Sequence, residues 1–376
     1  MAPDDRDLAH LQQALALAQG AIGVTEPNPR VGCVLADASG RIVGRGATQQ
    51  AGGAHAEVMA LREAAASGAS LTGGTAWVTL EPCAHHGRTP PCCDALIAAG
   101  LARVVIGTGD PFPQVAGAGI ARMRAAGIVV DGAGGAIAQA CREINIGFFS
   151  RVQRARPWVR MKIAASLDGR TALHNGRSQW ITGADARTDG HAWRRRASAV
   201  LTGVGTVLDD DPRLDVRLVP TERQPLRVVV DSRLETPPHA RLLSPPGAAL
   251  IYGAADDAVR RAALAAAGAE IALQPGLGAK VDLAAMMADL AWRGVNELHV
   301  EAGHRLNASL LREGLVDELL VYLAPMLLGD ARGIADLARL EALEDAPRWR
   351  FTDVQLIGGD ARLMARHAAA QAFASA

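Results

Sequence analysis

The chain has 376 residues, enough for two domains with separate cores. Lys+Arg and Asp+Glu balance at 39 each and aromatic residues make up 3%, which argues against a nucleic-acid or anionic-membrane partner. No stretch holds the roughly 18 uninterrupted apolar residues of a membrane-spanning helix, and Met1–Arg6 lacks the apolar core of a signal peptide.

The first periodic segment, from Leu8 through Leu11 and Leu15 to Ala18, predicts an amphipathic helix. Asn28-Pro29-Arg30 is a turn leading into a strand through Leu35, and a second strand around Ile42–Gly44 pairs with it across Ala38-Ser39-Gly40. His55 opens a helix with Val58, Leu61 and Ala65 on one face. Thr75–Leu80 is a strand, Glu81-Pro82-Cys83 begins the turn or helix after it, Asp94–Ala99 is helical, and Arg103–Gly107 is the next strand. This alternation predicts an α/β layer with parallel neighbours.

Near Asn145–Phe149 the pattern resets, and a basic connector (Arg151, Arg154, Arg156) leads to Pro157, dividing the chain into domains 1–147 and 148–376. In the second, Trp158–Ala164, Ala199–Thr202, Leu226–Val230, Ala249–Tyr252, Glu297–Val300 and Glu318–Ala324 read as strands. Ala184–Arg196, Ala255–Ala267, Asp282–Trp292 and Asn307–Glu313 read as helices, so this domain is α/β as well.

The chemistry concentrates in His55-Ala56-Glu57, Pro82-Cys83 and Cys92. One imidazole and two thiolates suit Zn²⁺ and leave its fourth tetrahedral position open, which marks a catalytic ion rather than a structural one. Glu57 is the carboxylate placed to move protons beside it. His-x-Glu with Pro-Cys-x-x-Cys is the signature of zinc deaminases, although eight residues, not two, separate Cys83 from Cys92 here. Cys93 and His85 remain alternatives to Cys92 as the third ligand. Cysteines odd in number and clustered at such a motif (Cys33, Cys83, Cys92, Cys93, Cys141) fit metal use in a reducing cytoplasm. In the second domain Gly203-Val204-Gly205-Thr206 follows a strand and offers backbone to a phosphate, but no third glycine supports a Rossmann site.

The stretch Leu80–Cys92, with Asn28–Gly32, Ala54–Glu57 and Asp110-Pro111-Phe112, resembles the bifunctional riboflavin-biosynthesis deaminase/reductase family of bacteria. So do Lys162–Arg170, Ser178–Thr182, Asp209–Pro212, Val300–Gly303 and Gly314–Glu318. The resemblance implies a cytidine-deaminase-like domain followed by a dihydrofolate-reductase-like domain. The first would hydrolyse the 2-amino group of 2,5-diamino-6-(5-phosphoribosylamino)pyrimidin-4-one with one zinc ion, and the second would reduce the ribosyl group to ribityl with NADPH. It implies His55, Cys83 and Cys92 as zinc ligands, Glu57 as the proton shuttle, and Asn28, His85 and Arg88 as substrate contacts. In the reductase it implies that Ser178, Arg194, Leu214, Arg217 and Glu301 hold substrate, the two arginines gripping its phosphate. Ala164, Trp180, Thr206, Asp210, Ser232 and the loop Gly303, His304, Arg305, Leu306, Asn307, Ala308 and Ser309 would contact NADPH. Of Arg194, Arg195 and Arg196, two are expected on a solvated helix face. A homo-oligomer, dimer or tetramer, is implied too, and Thr48 stands where many relatives carry histidine. Two rival readings are an editing deaminase acting on nucleic acid and a zinc-stapled binding module.

Overall fold

The computed structural model describes residues 3–85, 90–113, 115–244 and 246–375. The chain forms two compact units that meet in sequence between Arg154 and Ala155.

In the first unit α1 (Asp5–Gly20) is followed by a hairpin of β1 (Gly32–Ala36) and β2 (Ile42–Ala47), then α2 (Ala56–Ala66) and β3 (Thr75–Leu80). Next come α3 (Cys92–Ala98), β4 (Arg103–Thr108), α4 (Ala118–Ala125), β5 (Val129–Gly132), α5 (Gly135–Glu143) and α6 (Ile146–Arg154). The sheet runs β2-β1-β3-β4-β5. Only β3, β4 and β5 are parallel; β1 is antiparallel to both neighbours, so the parallel layer expected from sequence covers just part of this sheet. Leu11 and Ala14 of α1 pack with Val34, Trp77 and Val105 into the core.

The seating of α2 departs from the sequence expectation. Its buried face is Ala56, Glu57, Ala60 and Ala64, not Val58, Leu61 and Ala65. The cause lies in β2: a Cβ added at Gly44 would fall 2.2 Å from the Ala60 carbonyl oxygen, and one at Gly46 2.2 Å from that of Ala56. Helix and strand thus touch backbone to backbone, through alanine and glycine.

In the second unit β6 (Trp158–Ser166), β7 (Arg170–Ala172) and α7 (Ala184–Arg196) precede β8 (Ala199–Gly203), α8 (Val204–Asp210), β9 (Leu226–Val230) and β10 (Ala249–Gly253). Then follow α9 (Ala258–Ala266), β11 (Ala269–Leu273), α10 (Leu283–Trp292), β12 (Glu297–Val300), α11 (His304–Arg312) and β13 (Glu318–Ala324). The chain continues with β14 (Arg332–Gly333), β15 (Trp349–Ile357), β16 (Asp360–His367) and α12 (Ala368–Ser375). The main sheet runs β11-β10-β9-β8-β12-β6-β13-β16-β15, parallel from β11 to β13. An antiparallel hairpin, β16-β15, forms one edge. All six strands and four helices expected here are present within a few residues. The hairpin was not anticipated, because β15 is mostly exposed and lacks a buried alternation.

Candidate functional sites

His55 is the N-cap of α2 and puts Glu57 in that helix's first turn. Cys83 lies just beyond the carboxyl end of β3, and Cys92 is the first residue of α3, which begins two residues before the expected Asp94. The fold brings the three together: His55 Nδ1 is 3.7 Å from Cys83 Sγ and 3.3 Å from Cys92 Sγ. All three donor atoms lie within 4.8 Å of one another. Among the described residues this is the sole such cluster, and it includes Cys92 rather than Cys93 or His85. Cys93 Sγ faces Asp94 instead, at 3.7 Å, and the His85 ring stands 5.8 Å from that of Phe112.

The electrostatics fit a cation at this point. A hydrogen bond with Cys92 holds the Cys83 thiol down to about 4, against the burial that opposes it. The same bond, with burial, drives the Cys92 thiol up. The backbone N–H of Cys92 also donates to Cys83 Sγ at 3.3 Å, favouring thiolate. Two convergent sulfurs and an imidazole are therefore one proton-sharing cluster that a divalent ion would replace with coordination. Burial, then the neighbouring Cys83 thiolate, pushes the Glu57 carboxyl up to about 7.

His55, Glu57 and Cys83 open into a cavity of about 450 Å³ walled by Val31, Leu80, Phe112, Val115 and Phe148, with Asn28, Thr48, Glu81, His85, Asp110 and Arg151 as polar lining. Asn28 is held in a turn by Thr25: Asn28 N donates to the Thr25 carbonyl at 2.9 Å and Thr25 Oγ1 to the Asn28 carbonyl at 3.0 Å. Arg30 N donates to Asn145 Oδ1 at 2.7 Å and its guanidinium to the Ile144 carbonyl (3.0 Å) and Glu26 (2.7 Å). Arg88 lies outside the described residues. Phe148 and Arg151 escaped the sequence reading, which ended the domain at residue 147 and took Arg151 as connector. Helix α6 runs through that point, and its i, i+3 pair Phe148–Arg151 was the available signal.

The second unit holds a cavity of about 1180 Å³ at the carboxyl ends of β8, β9 and β12. Such ends are where open α/β sheets bind ligands. Helices α8 and α11 start there, capped by Gly203 and Gly303. A Cβ at Gly203 would come 3.2 Å from Leu306, and one at Gly303 3.5 Å from Thr206, so the two turns approach closely. Amide-rich turns of this kind, with Arg233, Lys280, Arg305 and Arg312 on the lining, fit the phosphates of a dinucleotide. Thr206, Ser232, Gly303, His304, Arg305, Leu306 and Ser309 all line this cavity. Asn307 and Ala308 do not: residues 304–309 are helix rather than loop, and its periodicity turns these two into the interior.

A separate polar cluster surrounds Glu301. Arg194 of α7 donates from Nε (2.5 Å) and Nη2 (2.8 Å) to its two oxygens, Lys162 Nζ of β6 lies at 4.0 Å, and His299 Nε2 at 3.3 Å. Burial opposes the charge on Glu301, but Arg194 outweighs it and holds the carboxyl well below its usual range. Burial also pulls the Lys162 ammonium down. The Arg194 fork is committed to Glu301, so it does not present the bidentate phosphate grip expected from sequence. Arg196 pairs with Glu297 at 2.8 Å, so two of the three consecutive arginines make ion pairs instead of forming a solvated face. Arg217 binds Asp215 at 2.6 Å. Leu214 is buried in a left-handed conformation, at φ +53°. Ser178 Oγ donates to Asp210 at 3.4 Å, joining an expected substrate residue to an expected cofactor residue. Ala164 is half-buried on β6. Trp180 is exposed, with the Arg187 guanidinium 4.7 Å over its ring.

Residues 4–108 match the model of the cytidine and deoxycytidylate deaminase zinc-binding region, and residues 157–363 match that of the RibD C-terminal domain. The riboflavin biosynthesis protein RibD of Escherichia coli is 45% identical over 368 residues, covering 94% of this chain and 98% of that protein. The chain belongs to the RibD family. The Aquifex aeolicus RibD is 40% identical, covering 94% of this chain and 96% of its own length. The solved Acinetobacter baumannii RibD (form 1) superposes with a TM-score of 0.86 at 37% identity, covering 96% of this chain and 99% of that one. RibD membership makes this chain a bifunctional enzyme of riboflavin biosynthesis, a zinc deaminase joined to an NADPH-dependent reductase, acting on small molecules. The expected fold, a cytidine-deaminase-like domain followed by a reductase domain, stands as well.

Proposed function

We propose that the first unit removes the 2-amino group of 2,5-diamino-6-(5-phosphoribosylamino)pyrimidin-4-one and that the second reduces the ribosyl side chain of the product to ribityl. The observation that carries this reading is the His55–Cys83–Cys92 cluster with buried Glu57 in one cavity. A Thermotoga maritima relative, 30% identical with a TM-score of 0.86, is described as a diaminohydroxyphosphoribosylaminopyrimidine deaminase and 5-amino-6-(5-phosphoribosylamino)uracil reductase, which supports the same pair of substrates.

His55, Cys83 and Cys92 would hold the zinc ion, which would supply the Lewis acidity that lowers a water's pKa toward about 7. Glu57 takes one proton from the attacking water and gives it to a ring nitrogen; it then takes the second proton from the hydroxyl now on the ring carbon and passes it to the departing amino group, which leaves as ammonia. Asn28 and His85 orient the pyrimidine against that carboxyl. In the second unit Gly203–Thr206, Ser232 and Gly303–Leu306 with Ser309 would cradle NADPH. Lys162, held beside Glu301, is the ammonium suited to deliver the proton that accompanies hydride transfer. From sequence alone the polar candidates for assisting this reduction are Glu301 and Asp210, with no general acid singled out.

Glu57→Gln is expected to keep about one zinc per chain while ammonia release falls by roughly 100-fold or more. Metal analysis alongside an ammonia assay checks both; unchanged ammonia release defeats the assignment. Glu301→Ala should depress NADPH oxidation and spare deamination. A cytoplasmic location is supported by five unpaired cysteines, and self-association by the exposed Phe351, Val354 and Leu356 of β15. Light scattering of the purified chain tests the latter: a monomer at micromolar concentration refutes it.

A further inference from the structure

Helix α4 begins without a cap of its own. Its N-cap is Gly117, left-handed at φ +83°, with no side chain to accept from the first amides. Those amides are orphan donors unless something else accepts from them. Glu81, 36 residues earlier in the chain, does so. Its carboxylate is buried and accepts from Gly117 N at 3.1 Å and Ile120 N at 3.3 Å. It also accepts from Asp110 N at 3.3 Å. One negative charge therefore meets the positive end of α4 and pins the turn that carries Asp110.

This anchorage matters because of what the clamped segment contributes. Asp110, Phe112 and Val115 line the deaminase cavity, and the Phe112 ring stands against that of His85. Asp110 in turn accepts from Phe112 N at 2.8 Å, so the position of one fixes the other. The approach is tight at its far end as well: a Cβ on Gly119 would lie 2.2 Å from the Pro82 carbonyl oxygen and 3.3 Å from Glu81 Oε1. We infer that Glu81 is a positioning residue of the deaminase, a capping carboxylate in trans that holds the Asp110–Phe112 wall at the distance substrate requires. Glu81 borders the cavity, but its carboxylate is committed to the amides of Asp110, Gly117 and Ile120 and is not part of the His55–Cys83–Cys92 cluster. The inference rests on the deaminase reading of this cavity and adds to it a determinant of substrate affinity.

The test uses the full chain, as Glu81→Gln, Glu81→Ala and, separately, Gly119→Ala, whose Cβ would press on the Pro82 carbonyl and shift the start of α4 while keeping the Glu81 carboxylate in the chain. Each variant is measured for zinc content, for kcat and KM of ammonia release, and for amide exchange at Gly117 and Ile120. The expected result is a full zinc complement, faster exchange at those two amides and a KM raised by about tenfold with kcat little changed, since small misplacements of a binding wall are costly. Glu81→Gln should sit between wild type and Glu81→Ala, because its amide oxygen still accepts. An unchanged KM overturns the inference. So does loss of zinc in the Glu81 variants, which would make the residue a support of the metal site, or a fall in kcat alone. None of these outcomes touches the deaminase assignment itself, which fails only if Glu57→Gln still releases ammonia.

Discussion

Arg194 and Glu301 are joined by two parallel hydrogen bonds, a geometry that only a guanidinium can make. Arg194→Lys keeps the charge but leaves one carboxylate oxygen without its donor. NADPH-dependent turnover is expected to fall about tenfold or more, while ammonia release stays at its wild-type rate. Steady-state assays of both reactions on one preparation check this. In the first unit Cys92→Ser should lower zinc occupancy, whereas Cys93→Ser should not, because the Cys93 sulfur points to Asp94; metal analysis of the dialysed proteins separates them. The His55–Cys83–Cys92 cluster was legible in sequence because metal chemistry restricts residue type as well as spacing. Arg194 shows the opposite case. Its partner lies 107 residues away, and composition gave no reason to prefer a carboxylate over a phosphate.

Strand β2 and helix α2 illustrate what periodicity conveys and what it omits. The spacing located the helix and the catalytic end of it, yet it selected the larger side chains as the buried face. The true face is Ala56, Ala60 and Ala64, because Gly44 and Gly46 let the two backbones meet. Gly46→Ala should therefore push α2 outward, carrying His55 and Glu57 with it, and destabilise the first unit by about 1–3 kcal/mol. Deaminase activity should drop while NADPH oxidation persists; equal loss of both would refute the argument. The β15–β16 hairpin was missed for a different reason: few of its side chains are buried, so hydrophobic alternation is faint. Its Gly358-Gly359 turn, with Gly358 at φ +59°, was the signal present.

At the scale of the whole molecule, a buried charged cluster lies at the amino-terminal ends of β6, β12 and β13, away from the cofactor cavity. Arg160 reaches Glu297 at 2.9 Å and Glu318 at 2.5 Å, and Arg366 reaches Glu318 at 2.8 Å, all largely buried. Removing one charge strands the others, so Glu318→Gln should destabilise the second unit by roughly 3–5 kcal/mol, read as a lower urea midpoint at neutral pH. Burial opposes ionisation of Glu318, but Arg160 and Arg366 prevail and its folded pKa is lowered. The stability it provides is complete above the unfolded value of about 4.3 and is lost as pH falls through the folded one, so the gap between wild type and variant should narrow in acid. Helix α6 bears on how the two activities can be separated by hand. A gene fragment stopped at codon 147 would encode a deaminase stripped of Phe148 and Arg151, and its weak turnover would be blamed on the missing partner activity. Stopping at codon 154 removes that confusion, because the fragment then keeps every described side chain that encloses its own reaction chamber.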